Sequence, residues 1–131
     1  MNSSDRPPRS PMAGPYFDSQ LSYRLGVPLI YVKGELDHDT AGSLRDAIAQ
    51  ELNDETKTLV LDFSELSYMD SGGLSLMFDL VQRFRDSGWL GAVGANPGVS
   101  RLFEITGLID HPGFRLFPDL PAVSAALSAA G

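Results

Sequence analysis

Residues 58–74 read TLVLDFSELSYMDSGGL, and this stretch decides the fold. Its first part, residues 58–63, is a short apolar run, which is typical of a buried central strand in a parallel sheet. The strand is expected to end there and to be followed by a short loop. Asp70-Ser71-Gly72-Gly73 then opens a helix, with Ser71 at or near the N-cap position. A strand, a loop and a helix in this order predict one crossover unit of an α/β domain.

The helix predicted after Ser71 carries an apolar stripe at positions i, i+3, i+4, i+7 and i+10, formed by Leu74, Met77, Phe78, Val81 and Phe84. Outward from this unit, further strands are predicted at 16–24, 29–33, 89–93 and 114–117, and further helices at 41–52, at 96–106 and from 119 to the end. Alternation of strands and helices predicts an α/β domain. Its mixed sheet has about five strands, and about four helices pack on it.

The composition excludes several classes of function. The chain has 131 residues, the size of one domain, and 10 Lys and Arg against 17 Asp and Glu give it a net charge of −7. Nucleic acids and anionic membrane surfaces both attract clustered cations, so neither is an expected partner. No run approaches the roughly 20 apolar residues that a membrane helix needs.

The chain contains no cysteine, which excludes disulfides, cysteine nucleophiles and Cys-rich metal sites.

Residues 1–14 are rich in Ser, Pro and Arg and predict a disordered tail, whereas residues 15–131 form the single predicted domain. The sequence begins without the apolar segment of a signal peptide, so a cytoplasmic location is expected. Neither a metal nor another cofactor is predicted.

Ser71 has two interpretations on local physics. It is an N-cap, or it is a phosphate site, because free N–H groups and the helix dipole stabilise negative charge at a helix N-terminus. Gly72 and Gly73 each cost a helix up to about 1 kcal/mol relative to alanine. Because of this cost, a reason other than helix propensity is expected for the two glycines. They also keep side chains away from the Ser71 hydroxyl.

Three blocks of the sequence resemble those of the anti-sigma factor antagonists, which are single STAS domains. Residues 34–41, GELDHDTA, are similar to the family's segment after its second strand. Residues 68–74, YMDSGGL, are similar to its phosphorylation motif, a Met-Asp-Ser followed by Ser or Thr and then Gly-Leu. Residues 101–108, RLFEITGL, are similar to the block on its third helix. The blocks are in register, and the resemblance covers roughly residues 16–130.

The resemblance implies a STAS fold and a partner switch. In this family the unphosphorylated antagonist binds an anti-sigma factor and so releases a sigma factor for transcription. The anti-sigma factor is also a serine kinase that uses Mg-ATP. Phosphorylation of the antagonist ends the binding, and a serine phosphatase resets it. The antagonist is not itself an enzyme, and the family is mostly monomeric when free.

Carried onto this chain, the resemblance makes Ser71 the phosphorylation site. Gly72 departs from the family's Ser or Thr, which leaves Ser71 as the only acceptor in the motif and is expected to loosen the loop. The predicted partner-binding residues lie in two loops that leave neighbouring strands, and they are Asp37, His38, Asp39, Asp70, Gly72 and Gly73. Their carboxylates are expected to repel a phosphate on Ser71 inside a complex.

Other functions have weaker support. A hydrolytic triad of Ser71, His38 and an Asp lacks the Gly-x-Ser-x-Gly elbow. The glycines between 91 and 98 lack the spacing of a nucleotide loop. Residues 37–39 cannot all face one metal ion without strain. The main alternative is another STAS role, either a non-switching scaffold of a stress-signalling complex or a soluble regulator of a transporter.

Overall fold

Residues 16–130, which a computed structural model describes, form one five-stranded sheet with four α-helices. The strands are β1 (Phe17–Arg24), β2 (Val27–Leu36), β3 (Thr58–Met69), β4 (Trp89–Val93) and β5 (Phe114–Phe117). The helices are α1 (Ala41–Glu51), α2 (Ser71–Phe84), α3 (Pro97–Ile105) and α4 (Leu120–Ala130), and a short 3₁₀ turn spans Leu108–Asp110. The predicted α/β class and the element order are confirmed. The tail predicted over residues 1–14 lies outside the described residues.

The strands lie in the sheet in chain order, β1-β2-β3-β4-β5. β1 pairs with β2 as an antiparallel hairpin, and every later pair is parallel. Parallel neighbours need a crossover connection, and α1, α2 and α3 supply those connections. The sheet is therefore mixed, as predicted, with its antiparallel strand at one edge.

Alternation along the strands divides the core between the two faces of the sheet. On one face, α1, α2 and α3 contribute Leu44, Met77 and Phe103 to the larger buried cluster. Leu61 and Phe63 of β3 belong to the same cluster. On the other face, α4 packs through its Val123 in a smaller cluster, whose other buried members are Leu29, Val60, Trp89 and Val93. Both faces of the sheet therefore carry helices, although α4 covers only part of the second face.

β3 continues well beyond its predicted end at Phe63 and reaches Met69. It pairs with β2 from Leu29↔Val60 to Leu36↔Met69, with two register shifts on the way. At one shift the Asp62 carboxylate accepts a hydrogen bond from the Ser64 N–H at 2.9 Å. The prediction of a loop directly after residue 63 was wrong, because the exposed polar residues that follow belong to a strand covered on one face.

The helix ends agree with the predicted ranges to within one residue. Asn96 caps α3 by accepting the Val99 N–H at 2.9 Å, and Pro97 is the first helical residue. Asp119 accepts the Ala122 N–H at the start of α4, also at 2.9 Å. α1 ends at Glu51 with Leu52 as its C-cap, one residue before the end of the range predicted over 41–52.

Candidate functional site

The two predicted site loops meet because β2 and β3 end side by side. Leu36 is the register partner of Met69, and the Asp70 N–H donates to the Leu36 carbonyl at 3.2 Å. The chain then leaves both strands at the same edge of the sheet, into the turn at residues 37–40 and the first turn of α2. The structure therefore confirms that the two loops lie close together, as the sequence predicted.

Asp70, rather than Ser71, is the N-cap of α2. Its backbone is extended, and its Oδ1 accepts the N–H groups of Gly72 at 2.7 Å and Gly73 at 3.4 Å. Ser71 is the first helical residue and its side chain is exposed. Within residues 16–130 no hydrogen bond involves the Ser71 hydroxyl, so the helix start does not require that hydroxyl.

Asp37 is buried and is held by its own turn. Its Oδ1 accepts the N–H of Asp39 at 2.9 Å and of Thr40 at 3.1 Å, while its own N–H donates to the Thr40 hydroxyl at 2.9 Å. Thr40 also donates to the Glu35 carbonyl at 2.8 Å. The Asp37 carboxylate therefore fixes the shape of the turn, while the neighbouring His38 and Asp39 are exposed.

Gly72 and Gly73 let this turn lie directly against α2. A Cβ at Gly72 would come within 2.5 Å of the His38 Cα, and one at Gly73 within 2.6 Å of the Leu36 carbonyl oxygen. Real Cβ atoms do not approach so closely. Gly72 therefore belongs to a packed helix turn, and the expectation that it loosens a loop was wrong. Close packing is the reason for glycine at both positions.

His38 pairs with the carboxylates on either side of it. Its Nδ1 lies 3.4 Å from Asp70 Oδ2, and its Nε2 lies 3.5 Å from Asp39 Oδ1. The hydrogen bond to Asp70, reinforced by the charge of Asp39, raises the pKa of His38 above its usual 6.5. Desolvation pushes the pKa of Asp70 upward, but hydrogen bonds from Gly72 and His38 outweigh it and the pKa lies below its usual value.

An apolar groove of about 490 Å³ lies beside Ser71. The end of β3, the first turns of α2 and the first half of α3 form its walls, through Tyr68, Met69, Leu74, Val99 and Leu102. Tyr68 is 50% exposed although it is a large aromatic residue. The groove was missed in the sequence because its walls come from separate segments. The signal was the third resemblance block, which includes Leu102.

The remaining candidates have local structural roles. The His111 Nδ1 accepts the Gly113 N–H at 3.1 Å and so stabilises its own turn. Residues 16–130 contain no group of three or more His, Asp or Glu side chains arranged to hold a metal ion. Over the same residues, every helix is too short or too polar to cross a bilayer.

The geometry defines a small α/β domain with an exposed serine at a helix start, next to an apolar groove. A family model of the STAS domain matches residues 20–122. The chain belongs to the STAS domain family.

Three known proteins similar to this chain are named anti-sigma factor antagonists. Over 82 residues, the chain is 38% identical to the anti-sigma-B factor antagonist of Listeria monocytogenes, an alignment that spans 62% of the chain and 72% of the relative. The antagonist of the same name from Staphylococcus aureus is 34% identical over 82 residues, with coverage of 62% and 76%. The crystal structure of an anti-sigma factor antagonist from Mycobacterium paratuberculosis superposes with a TM-score of 0.74 and 29% identity, covering 87% of this chain and 93% of that one.

Replacing Gly72 with alanine tests the packing at the site. Alanine favours a helix interior by about 1 kcal/mol, but here its methyl group would collide with the backbone of His38. We expect Gly72→Ala to lower the free energy of unfolding by about 1–3 kcal/mol, the usual cost of overpacking. Urea unfolding followed by circular dichroism measures this change.

Gly42→Ala is the matched control. Gly42 is also in the first turn of a helix, α1, and a Cβ there meets nothing within 4 Å. This substitution is expected to leave stability unchanged or raise it by up to about 1 kcal/mol. Equal effects of the two substitutions would show that the His38 turn does not press on α2.

The His38–Asp70 pair predicts a pH dependence with a definite sign. Because the pKa of His38 is raised on folding, the pair stabilises the fold fully below pH 6.5, and this stabilisation is lost as the pH rises through the folded-state pKa. Destabilisation by His38→Gln is therefore expected to be larger at about pH 5.5 than at about pH 8.5. NMR titration should show a lower His38 pKa in Asp70→Asn, which keeps a good N-cap. An unchanged pKa in that variant would contradict the assigned pair.

Proposed function

We propose that this chain is an anti-sigma factor antagonist that changes partners through phosphorylation of Ser71. The observation that carries the proposal is the position of Ser71. It is exposed at the first position of α2, and Asp70 already caps that helix. The hydroxyl is therefore free to receive a phosphoryl group without loss of the helix start. The relatives named anti-sigma-B factor antagonists support the same role.

The surface around Ser71 suits a protein partner. The apolar groove with Tyr68 lies on one side, and the His38–Asp39 turn lies on the other. Aromatic residues at the rim of a groove are typical anchors of protein interfaces. In the proposed complex, the anti-sigma factor covers this surface and, as a serine kinase, brings Mg-ATP to the Ser71 hydroxyl.

Charge explains the proposed release. A phosphate adds about −1.5 to −2 charge at neutral pH. The N–H groups of Gly72 and Gly73, which would otherwise bind an anion, already donate to Asp70. Asp39 and Asp70 add negative charge nearby, and His38 is shared between them. A phosphate covered by the partner would therefore be desolvated beside carboxylates, and the complex would dissociate.

In the proposed cycle, the antagonist, the kinase and the phosphatase have separate roles. The antagonist supplies the acceptor serine and the docking surface. The kinase supplies the nucleotide and the metal, and a separate serine phosphatase removes the phosphate. We place this cycle in the cytoplasm, where an anti-sigma factor controls transcription.

Substitution of Ser71 tests the switch. With the anti-sigma kinase of the same organism and Mg-ATP, wild type is expected to gain one phosphate and Ser71→Ala none, as measured by intact-mass spectrometry. Before phosphorylation, Ser71→Ala should bind the kinase as wild type does. Ser71→Asp should bind at least about tenfold more weakly, because its carboxylate is buried beside other carboxylates.

Two results would contradict this mechanism. Equal binding by Ser71→Asp and Ser71→Ala would remove the charge explanation. Binding of wild type without phosphorylation of Ser71 would favour a non-switching STAS scaffold instead. Circular dichroism of each variant separates these outcomes from misfolding.

Tyr68 tests the docking surface independently of phosphorylation. Tyr68→Ala removes an aromatic side chain from the rim of the groove and is expected to weaken kinase binding at least about tenfold. Tyr31→Ala is the control, because Tyr31 is 38% exposed but lines a separate cavity rather than the groove. Calorimetric titration compares the two, and equal affinities would place the partner elsewhere.

A further inference from the structure

β1 leaves an open edge on the sheet. It pairs with β2 on one side, and no strand within residues 16–130 pairs with its other side. Natural edge strands are usually protected by lysines, prolines or bulges. Residues 19–23 of β1 read SQLSY, with neither charge nor proline, and pair with β2 without a register shift. This edge therefore remains able to accept another strand.

The free hydrogen-bonding groups of β1 can be assigned to particular residues. The Glu35 N–H donates to the Tyr16 carbonyl at 2.8 Å, so residues 16 and 35 form a hydrogen-bonded pair. Such pairs alternate along an antiparallel ladder. The even-numbered residues of β1 therefore bond to β2, and the backbone groups of Ser19, Leu21 and Tyr23 point outward. The Ser19 N–H already donates to the Asp18 carboxylate at 2.9 Å, so it would have to exchange this bond on pairing with another strand, whereas the N–H groups of Leu21 and Tyr23 have no such partner within residues 16–130.

Large apolar side chains lie along the same strand. Leu21 is 44% exposed, Tyr23 56% and Leu25, at the hairpin tip, 65%. Since the positions of Leu21 and Tyr23 in β1 differ by two, these two side chains lie on one face of the hairpin, and Leu25 follows in the turn. Leu25 also has a positive φ of 50°, a conformation that leucine rarely adopts. Outward backbone groups and exposed apolar side chains thus occur together.

We propose that this edge pairs with β1 of a second copy of the chain, antiparallel about a two-fold axis at Leu21. In this register Asp18 of each copy lies opposite Arg24 of the other copy, which gives two charge pairs. The Leu21 side chains of the two copies lie opposite each other, and Ser19 lies opposite Tyr23. Opposite charges and apolar pairs are the cross-strand combinations that stabilise antiparallel sheets.

The charges select this register over its neighbours. A shift of two residues places Asp18 opposite Ser22 in one direction and opposite Gly26 in the other, and both charge pairs are lost. In the centred register Asp18 and Arg24 lie on the same face of the sheet, because their positions differ by an even number. On that face Asp18 lines a cavity and Arg24 donates to Ser124 of α4 at 2.7 Å. The two sheets become one sheet of ten strands.

The dimer is distinct from the proposed switch. Ser71 follows β3, which β2 separates from the β1 edge. Kinase docking and strand pairing therefore use different surfaces. The resemblance implied a chain that is mostly monomeric when free, and the open edge of β1 instead predicts association that rises with concentration.

A cysteine at position 21 reports the register directly, since the chain has no cysteine of its own. Opposite residues in an antiparallel pair have Cα atoms about 4.5–5.5 Å apart, within the range of a disulfide. Under mild oxidation, Leu21→Cys is expected to form a cross-linked dimer. Ile105→Cys is the control, because Ile105 is 66% exposed on α3 but lies outside the proposed interface.

Sedimentation velocity of the full chain tests association without oxidation. Wild type is expected to dimerise with rising concentration, and Leu21→Lys to dimerise at least about tenfold more weakly, as charges on edge strands prevent pairing. Asp18→Arg alone and Arg24→Asp alone should also weaken the dimer, whereas the double substitution should restore it. Circular dichroism confirms that each variant is folded.

A wild-type chain that stays monomeric at its solubility limit would overturn the proposal. So would cross-linking of Leu21→Cys no faster than that of Ile105→Cys. If dimers form only after removal of residues 1–15, that segment rather than a second copy occupies the edge in the full chain, and the proposal is wrong.

Discussion

The candidate site depends on the parallel pairing of β2 with the second half of β3. This pairing continues to Leu36↔Met69 and is followed by the hydrogen bond from Asp70 to the Leu36 carbonyl. It determines where the 37–40 turn and the start of α2 leave the sheet, and therefore the separation of His38 from Asp70. If β3 ended where its apolar run ends, these two segments would not be held together.

Much of this arrangement could be predicted from the sequence. The limits of β4 and β5, the Asn96-Pro97 start of α3 and the meeting of the two loops follow from apolar runs and capping residues. These features are local, or they follow from the rule that parallel strands end at a common edge. Ser71 as the candidate acceptor came from the resemblance and stays a prediction.

Other features depend on contacts that a single sequence does not reveal. Asp and Ser are comparably good N-caps, so only the extension of β3 to Met69 shows that Asp70 takes this position. Gly72 suggested a loose loop because its neighbour across space, the backbone of His38, is distant in the chain. The groove could not be predicted for the same reason, since its walls come from β3, α2 and α3, which are separate in the chain.

The capping of α2 by Asp70 also bears on how lasting a phosphate on Ser71 would be. A helix start with free N–H groups would hold the phosphate in a network of bonds and shield it from solvent. Here those groups are already engaged by a residue of the domain itself. The phosphoserine would be solvated mainly by water and open to attack from outside. A phosphate with so few bonds to the domain would be readily removed by hydrolysis, which suits a signal that must be reversible.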